Sequence, residues 1–228
     1  MSATAAPIHT VPARMRGAVL TPQGIALQDL PTPQPQATEV LIKVRASSLN
    51  RADLFLVEGR SHGGHGGAGT VLGLEWSGDV VAVGAEVTEF TPGDRVMCSG
   101  IGGLSQYAVA DWRRCFAFPK RQLGYEAAAC LPVSLRTTYV ALATHGQLQK
   151  GESVLVLGAS SAVGLMCLQV ARLMGAGQVV GTSTKADRRD KLSAFGADAA
   201  IDTQAPDWAD QVLALTEGRG VDLIVDFL

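Results

Sequence analysis

The sequence carries no excess of basic charge. Lysine and arginine total 19 against 21 aspartates and glutamates, a net charge of −2, so there is no field to draw in nucleic acid or an anionic membrane. It has no CxxC pair. Cys98, Cys115, Cys130 and Cys167 are widely spaced, which argues against a zinc cluster or a disulfide frame and for reduced, buried thiols in a cytoplasmic protein. No uninterrupted apolar run approaches the ~20 residues that a bilayer span needs. Repeats are lacking, and low complexity is confined to the SHGGHGGAG stretch at 61–69. What the 228 residues do have is apolar content: 47% hydrophobic with only 18% charged, enough for a core in one large domain or two smaller ones. The first fourteen residues contain no acid and little apolar periodicity. They read as a frayed extension, with a short transit peptide as the alternative.

The chain changes character near residue 130. From about 16 to 120 it reads as short strands with turn punctuation. Val40, Ile42, Val44 and Ala46 share one face of a half-buried strand, Val80, Val81 and Val83 form another, and Pro92-Gly93-Asp94 is a turn into Arg95-Val96-Met97. Such spacing suggests a small all-β barrel. From about 134 strands start near 153, 179, 199 and 221, with helices expected over 162–174, 186–195 and 208–216. That alternation is βαβαβαβ, and strands as apolar as Val154-Leu155-Val156-Leu157 belong to a parallel sheet covered on both faces.

The first strand-to-helix turn, Gly158-Ala159-Ser160-Ser161-Ala162-Val163-Gly164, has small residues where backbone N–H groups and a helix N-terminus can approach a pyrophosphate. Ala159 and Ser161 stand where glycines would complete GxGxxG, and tight packing alone would also call for small residues there. The strand before it and the α/β series after it favour a dinucleotide. The second parallel strand ends in Thr182-Ser183-Thr184-Lys185, with Arg188 and Arg189 just beyond. A carboxylate here would repel a ribose 2′-phosphate, whereas Ser, Thr, Lys and Arg can donate to it. NADPH is therefore favoured over NADH, although Lys185, Arg188 and Arg189 would also serve as a solvated helix face.

The stretches ASSLNRADL (46–54), VLGLEWSG (71–78), PGDRV (92–96), LPVSLRTTYVAL (131–142) and VLVLGASSAVGL (154–165) resemble the medium-chain dehydrogenase/reductase superfamily, most of all its zinc-independent quinone oxidoreductase branch. The resemblance covers about residues 15 to 228. It implies an extension over 1–15, a GroES-like β-barrel catalytic domain over 16–133 and a Rossmann cofactor domain over 134–228. Family members run on past this point, so it also implies a C-terminally truncated piece with an incomplete Rossmann sheet, from a parent that is commonly a homodimer. In the alcohol dehydrogenase branch two cysteines and a histidine hold a catalytic zinc. The matching positions here are Asn50, Leu74 and Val133, and two of these offer no lone pair. The other conceivable ligands, His62 and His65, lack a third partner and read as solvent-facing. No metal is expected.

By the same resemblance Asn50 hydrogen-bonds cofactor or substrate, and Thr137 lies beside the cofactor. Their local alternatives are a cap for a helix starting at Arg51 and ordinary helix packing. Cofactor contacts are expected from Ala159, Ser160, Ser161, Ala162, Val163, Gly164, Ser183, Thr184, Lys185 and Arg188. Phe55, Ser61 and Thr203 stand where the family often carries tyrosines. The expected function is NADPH-dependent hydride delivery to a small-molecule quinone or activated enone, which delocalises charge without a Lewis acid. An enoyl-thioester reductase and a truncated, non-catalytic cofactor-binding protein are the alternatives.

Overall fold

A computed structural model describes residues 10–119 and 121–228; residues 1–9, most of the expected extension, and Lys120 lie outside the described set. The chain divides into two compact units, Met1–Val133 and Ser134–Leu228.

The first unit is all-β apart from short helices. Strands β1 (Arg14–Thr21) and β2 (Gly24–Pro31) form an antiparallel pair. Arg14 and Met15, which the sequence places in the extension, already belong to β1; Met15 is buried and Arg14 pairs with Asp29. The second sheet comprises β3 (Glu39–Ser48), β4 (Glu75–Val83), β5 (Arg95–Ser99), β6 (Tyr107–Asp111) and β7 (Cys115–Ala117), in the order β6-β3-β4-β5-β7. Here β3 is covered on both faces rather than on one. Val40 and Ile42 join the core around Trp76, Val80 and Val96, while Leu41, which the alternation assigns to the open face, is buried against Met15 and Tyr107. Each fully buried residue of this kind contributes roughly 1.5–3 kcal/mol. Helix α1 (Arg51–Val57) follows β3, and α2 (Tyr125–Ala129) packs on β3 and β4.

The anchor of α2 is Tyr125. Its hydroxyl donates to Asp79, which also accepts from Arg45 Nε at 2.7 Å. Its ring stacks at 4.1 Å under the Arg95 guanidinium. Burial pushes the Asp79 carboxyl up, but the hydrogen bonds from Tyr125 and Arg45 and the charges of Arg45 and Arg95 outweigh it, leaving a net value below the ordinary one.

In the second unit α3 (Pro132–Tyr139), which begins at the boundary, leads to β8 (Ser153–Leu157), α4 (Ala162–Leu173), β9 (Gln178–Thr182), α5 (Ala186–Arg189), β10 (Ala199–Ile201), α6 (Trp208–Leu215) and β11 (Leu223–Asp226). All strand pairs are parallel, in the order β10-β9-β8-β11. Val154 and Val156 face Cys167, Leu168 and Leu192, whereas Leu155 faces the other way with Val180, Ile201 and Val212. Both faces of β8 are thus covered, which is why its sequence is apolar without alternation. Two boundaries differ from those the sequence pattern suggests. The helix expected over 186–195 stops at Arg189 and resumes as a 3₁₀ turn at Leu192–Phe195, because Leu192 is the buried residue of that stretch while α5 buries none. The last strand starts at Leu223 rather than 221; just before it Asp222 is tied to Ser153, its N–H donating to the Ser153 carbonyl at 3.1 Å and its side chain accepting from the Ser153 N–H and hydroxyl at 2.7 Å each.

Among the described residues no helix is long and apolar enough to cross a membrane. Three cysteines are buried, but Cys130 is exposed, a correction to the expectation of four buried thiols; it sits at the end of α2 beyond the buried Ala128 and Ala129. Burial raises Cys98 well above the ordinary thiol value and pushes Cys167 up to about 12. Since the thiolate is the nucleophile, iodoacetamide at mildly alkaline pH is expected to label Cys130 and spare Cys98, Cys115 and Cys167 until the fold opens. Peptide mass spectrometry with and without denaturant checks this.

Candidate functional site

The sheet order reverses between β8 and β11. In an open parallel sheet such a switch point leaves a crevice beyond the strands' carboxyl ends, where ligands bind. The turn from β8 to α4 leaves the sheet at this place. Gly158 adopts a positive φ of +70°, a conformation that an L side chain resists. Its N–H donates to the Thr182 hydroxyl at 3.2 Å, and the Ala159 N–H to the Thr182 carbonyl at 3.0 Å. The turn is thereby tied to the end of β9. Ser161 caps α4, its hydroxyl accepting the Gly164 N–H at 3.0 Å. The N–H groups of Ala162 and Val163 open the helix and have no intrahelical acceptor by geometry. Ser161 and Ala162 are exposed and Val163 half-buried, so this helix head is open to an anion.

Gly164 fixes the distance between helix and turn. A Cβ there would lie 2.4 Å from the Gly158 carbonyl oxygen and 2.6 Å from Ala159 Cα, so no larger residue fits without moving α4. A Cβ on Gly181 in β9 would meet the Ala159 methyl at 3.0 Å, and Ala159 is fully buried. The residues at 159 and 164 are small because backbone and helix are in contact.

The end of β9 brings in the second group. The Ser183 hydroxyl donates to the Ser160 hydroxyl at 2.9 Å, which places the two predicted loops side by side. Ser183 is buried, whereas Thr184, Lys185 and Arg188 are exposed. Arg189 is committed elsewhere. It donates to the Ser183 carbonyl at 2.7 Å and pairs with Asp202 at 2.9 Å, so it shapes the loop rather than facing solvent freely. Thr137 is exposed on α3, and among the described residues no hydrogen bond joins it to the turn.

In the first unit Asn50 occupies the N-cap of α1: its N–H donates to the Asp53 carboxylate at 2.7 Å. Its side-chain amide is held by a residue that the sequence motifs do not single out. Glu75 Oε1 accepts from Asn50 Nδ2 at 3.0 Å and from the Ser48 hydroxyl, while Oε2 accepts the Val133 N–H at 2.8 Å. Glu75 is 2% exposed, a buried carboxylate with every contact donated to it. Its one signal in the sequence is an acid inside the otherwise uncharged run Val71–Gly78. The carboxylate therefore links Asn50 and Val133, two of the three positions matched to zinc ligands; the third, Leu74, is also buried. With the leucine and valine side chains offering no lone pair, this set does not fit a tightly held zinc.

Two family models match the chain: "Alcohol dehydrogenase GroES-like domain" over residues 36–120 and "Zinc-binding dehydrogenase" over 162–228. The chain is 32% identical over 194 residues to quinone oxidoreductase-like protein 2 homolog of Nematostella vectensis, covering 83% of this chain and 52% of that protein. To a phenolphthiocerol/phthiocerol polyketide synthase polypeptide of Mycobacterium tuberculosis it is 32% identical over 195 residues, 86% of this chain and 9% of that one. It thus spans about half, or far less, of these curated relatives. A probable oxidoreductase from Mycobacterium abscessus superposes with a TM-score of 0.81 at 30% identity, over 93% of this chain and 69% of that chain. The CurK enoyl reductase superposes at 0.83 with 26% identity, over 95% and 68%.

Proposed function

The chain belongs to the medium-chain dehydrogenase/reductase superfamily, and from that premise we propose that it is the NADPH-binding, zinc-free part of an oxidoreductase for quinones or activated enones. The observation that carries the cofactor preference is the end of β9, where the buried Ser183 hydroxyl meets Ser160 and exposed Lys185 and Arg188 replace the acid of an NAD site. Bound there, the cofactor supplies a hydride from its reduced nicotinamide. The chain's own residues bind and orient. Ala162 and Val163 present N–H groups to the diphosphate, with the Ser160 and Ser161 hydroxyls beside them. Gly164 lets the helix head come close. Thr184, Lys185 and Arg188 donate to the 2′-phosphate. Asn50, its amide turned by Glu75, keeps its carbonyl oxygen and one N–H for the nicotinamide or the acceptor, and Thr137 is a further candidate for contact with the cofactor. A quinone or enone spreads the incoming charge over its conjugated system, which suits a site whose ligand positions hold Leu74 and Val133. A homodimeric parent belongs to the same reading.

Titration calorimetry tests it. NADPH is expected to bind more tightly than NADH, and Arg188→Ala is expected to weaken NADPH about tenfold, the worth of one charge-assisted hydrogen bond, with NADH little changed. A preference for NADH overturns the cofactor assignment. Binding of neither nucleotide overturns the cofactor-binding reading itself, and turnover that requires added zinc overturns the metal-free reading. The likeness to an enoyl reductase favours one alternative, an enoyl-thioester reductase, which turnover of an enoyl-CoA in preference to a quinone would select.

A further inference from the structure

The glycine-rich loop after α1 contains a hairpin that the proposed reaction does not use. The His62 N–H donates to the His65 carbonyl at 2.9 Å, and the His65 N–H to the His62 carbonyl at 3.0 Å. Between them Gly63 and Gly64 have φ of +57° and +80°, the two left-handed residues of a type I′ turn. Residues that exchange both backbone bonds stand opposite each other, with Cα atoms about 5.5 Å apart and side chains on the same face. Both histidines are exposed, and so are the glycines around them, which carry no side chain to crowd an ion. The adjacent cation is already engaged: Arg60 pairs with Glu58 and stacks 3.9 Å over the Phe55 ring.

We propose that His62 and His65 form a two-imidazole chelate for a borderline divalent transition metal, Cu²⁺ above Ni²⁺ or Zn²⁺. Neutral imidazole suits these ions and not Mg²⁺ or Ca²⁺, and copper binds such nitrogen donors most tightly. By sequence alone the pair faces solvent for want of a third protein ligand. The hairpin changes the balance because the backbone pairing sets the two side chains out from one face, so the backbone needs no reordering on binding. Water completes the coordination, which makes the site weaker than a structural zinc site and open to exchange. It lies apart in sequence from Asn50, Leu74 and Val133 and does not depend on the proposed reaction.

Titrating Cu²⁺ into the whole chain, followed by calorimetry and electron paramagnetic resonance, tests the assignment. A site with two imidazole nitrogens bound to copper is expected. His62→Ala and His65→Ala should each lower affinity at least about tenfold, the scale that loss of even an outer-shell partner reaches, and His145→Ala should not. Gly64→Val keeps both rings but opposes the positive φ, so it should weaken binding too. Gly63→Asn suits a type I′ turn and should retain it. Copper binding that survives both histidine variants unchanged overturns the site. Full affinity in Gly64→Val overturns the role of the hairpin.

Discussion

Gly164→Ala is expected to lower the stability of the second unit by about 1–3 kcal/mol, the cost of forcing a methyl group into a packed contact, and to reduce nucleotide affinity by at least about tenfold. The added Cβ would lie 2.4 Å from the Gly158 carbonyl oxygen and within 2.8 Å of two backbone atoms of Ala159. None of these belongs to a flexible side chain, so relief requires α4 to move away from the end of β8. That movement carries the Ala162 and Val163 N–H groups with it, and with them the proposed diphosphate site. Chemical denaturation and NADPH titration read the two effects separately. Gly124→Ala is the control, because its Cβ would meet only the movable Glu126 carboxylate at 3.2 Å. Unchanged nucleotide affinity in a destabilised Gly164→Ala chain would show that the diphosphate does not rest on this turn.

The architecture of the second unit is legible in the sequence because its determinants are local. Four successive apolar residues, Val154–Leu157, make a strand buried on both faces, and the small residues at 159 and 164 mark where a helix must come close to it. The chain order of the strands, with helices between them, then leaves few sheet topologies to choose from. What is not legible depends on partners remote in sequence. Leu41 reads as an outward residue until β1 supplies Met15 to cover it. Arg189 looks equivalent to Arg188 until Asp202 draws it in. Glu75 finds Asn50 at a separation of 25 residues and Val133 at 58, which no periodicity encodes. The facing histidines need the turn type between them, since glycine pairs serve several turns equally well.

Glu75→Leu is expected to cost the first unit about 3 kcal/mol or more, a fall in Tm on the order of 10 °C. The substitution keeps an apolar side chain of similar size but removes every acceptor, leaving the Ser48 hydroxyl, the Asn50 amide and the Val133 N–H without the carboxylate that takes their hydrogens. A buried donor stripped of its partner loses about 1–3 kcal/mol; the three here are partly buried, so each falls at the lower end of that range. Glu75→Gln separates charge from connectivity. One terminal atom still accepts, the other becomes an amide that faces a donor, and roughly half the loss should follow. Combining Glu75→Leu with Asn50→Leu removes both ends of the 3.0 Å bond, so the double variant should lose less than the sum of the singles. Strict additivity in that cycle would mean that the two side chains act independently, and the orientation of the Asn50 amide would then need another cause. Non-additivity would make Glu75 a positioning residue: with its acceptor gone the Asn50 amide is free to turn over, exchanging the oxygen and nitrogen it offers a ligand. On the proposed role of Asn50, that exchange should alter nicotinamide or acceptor binding even at temperatures where the variant is fully folded.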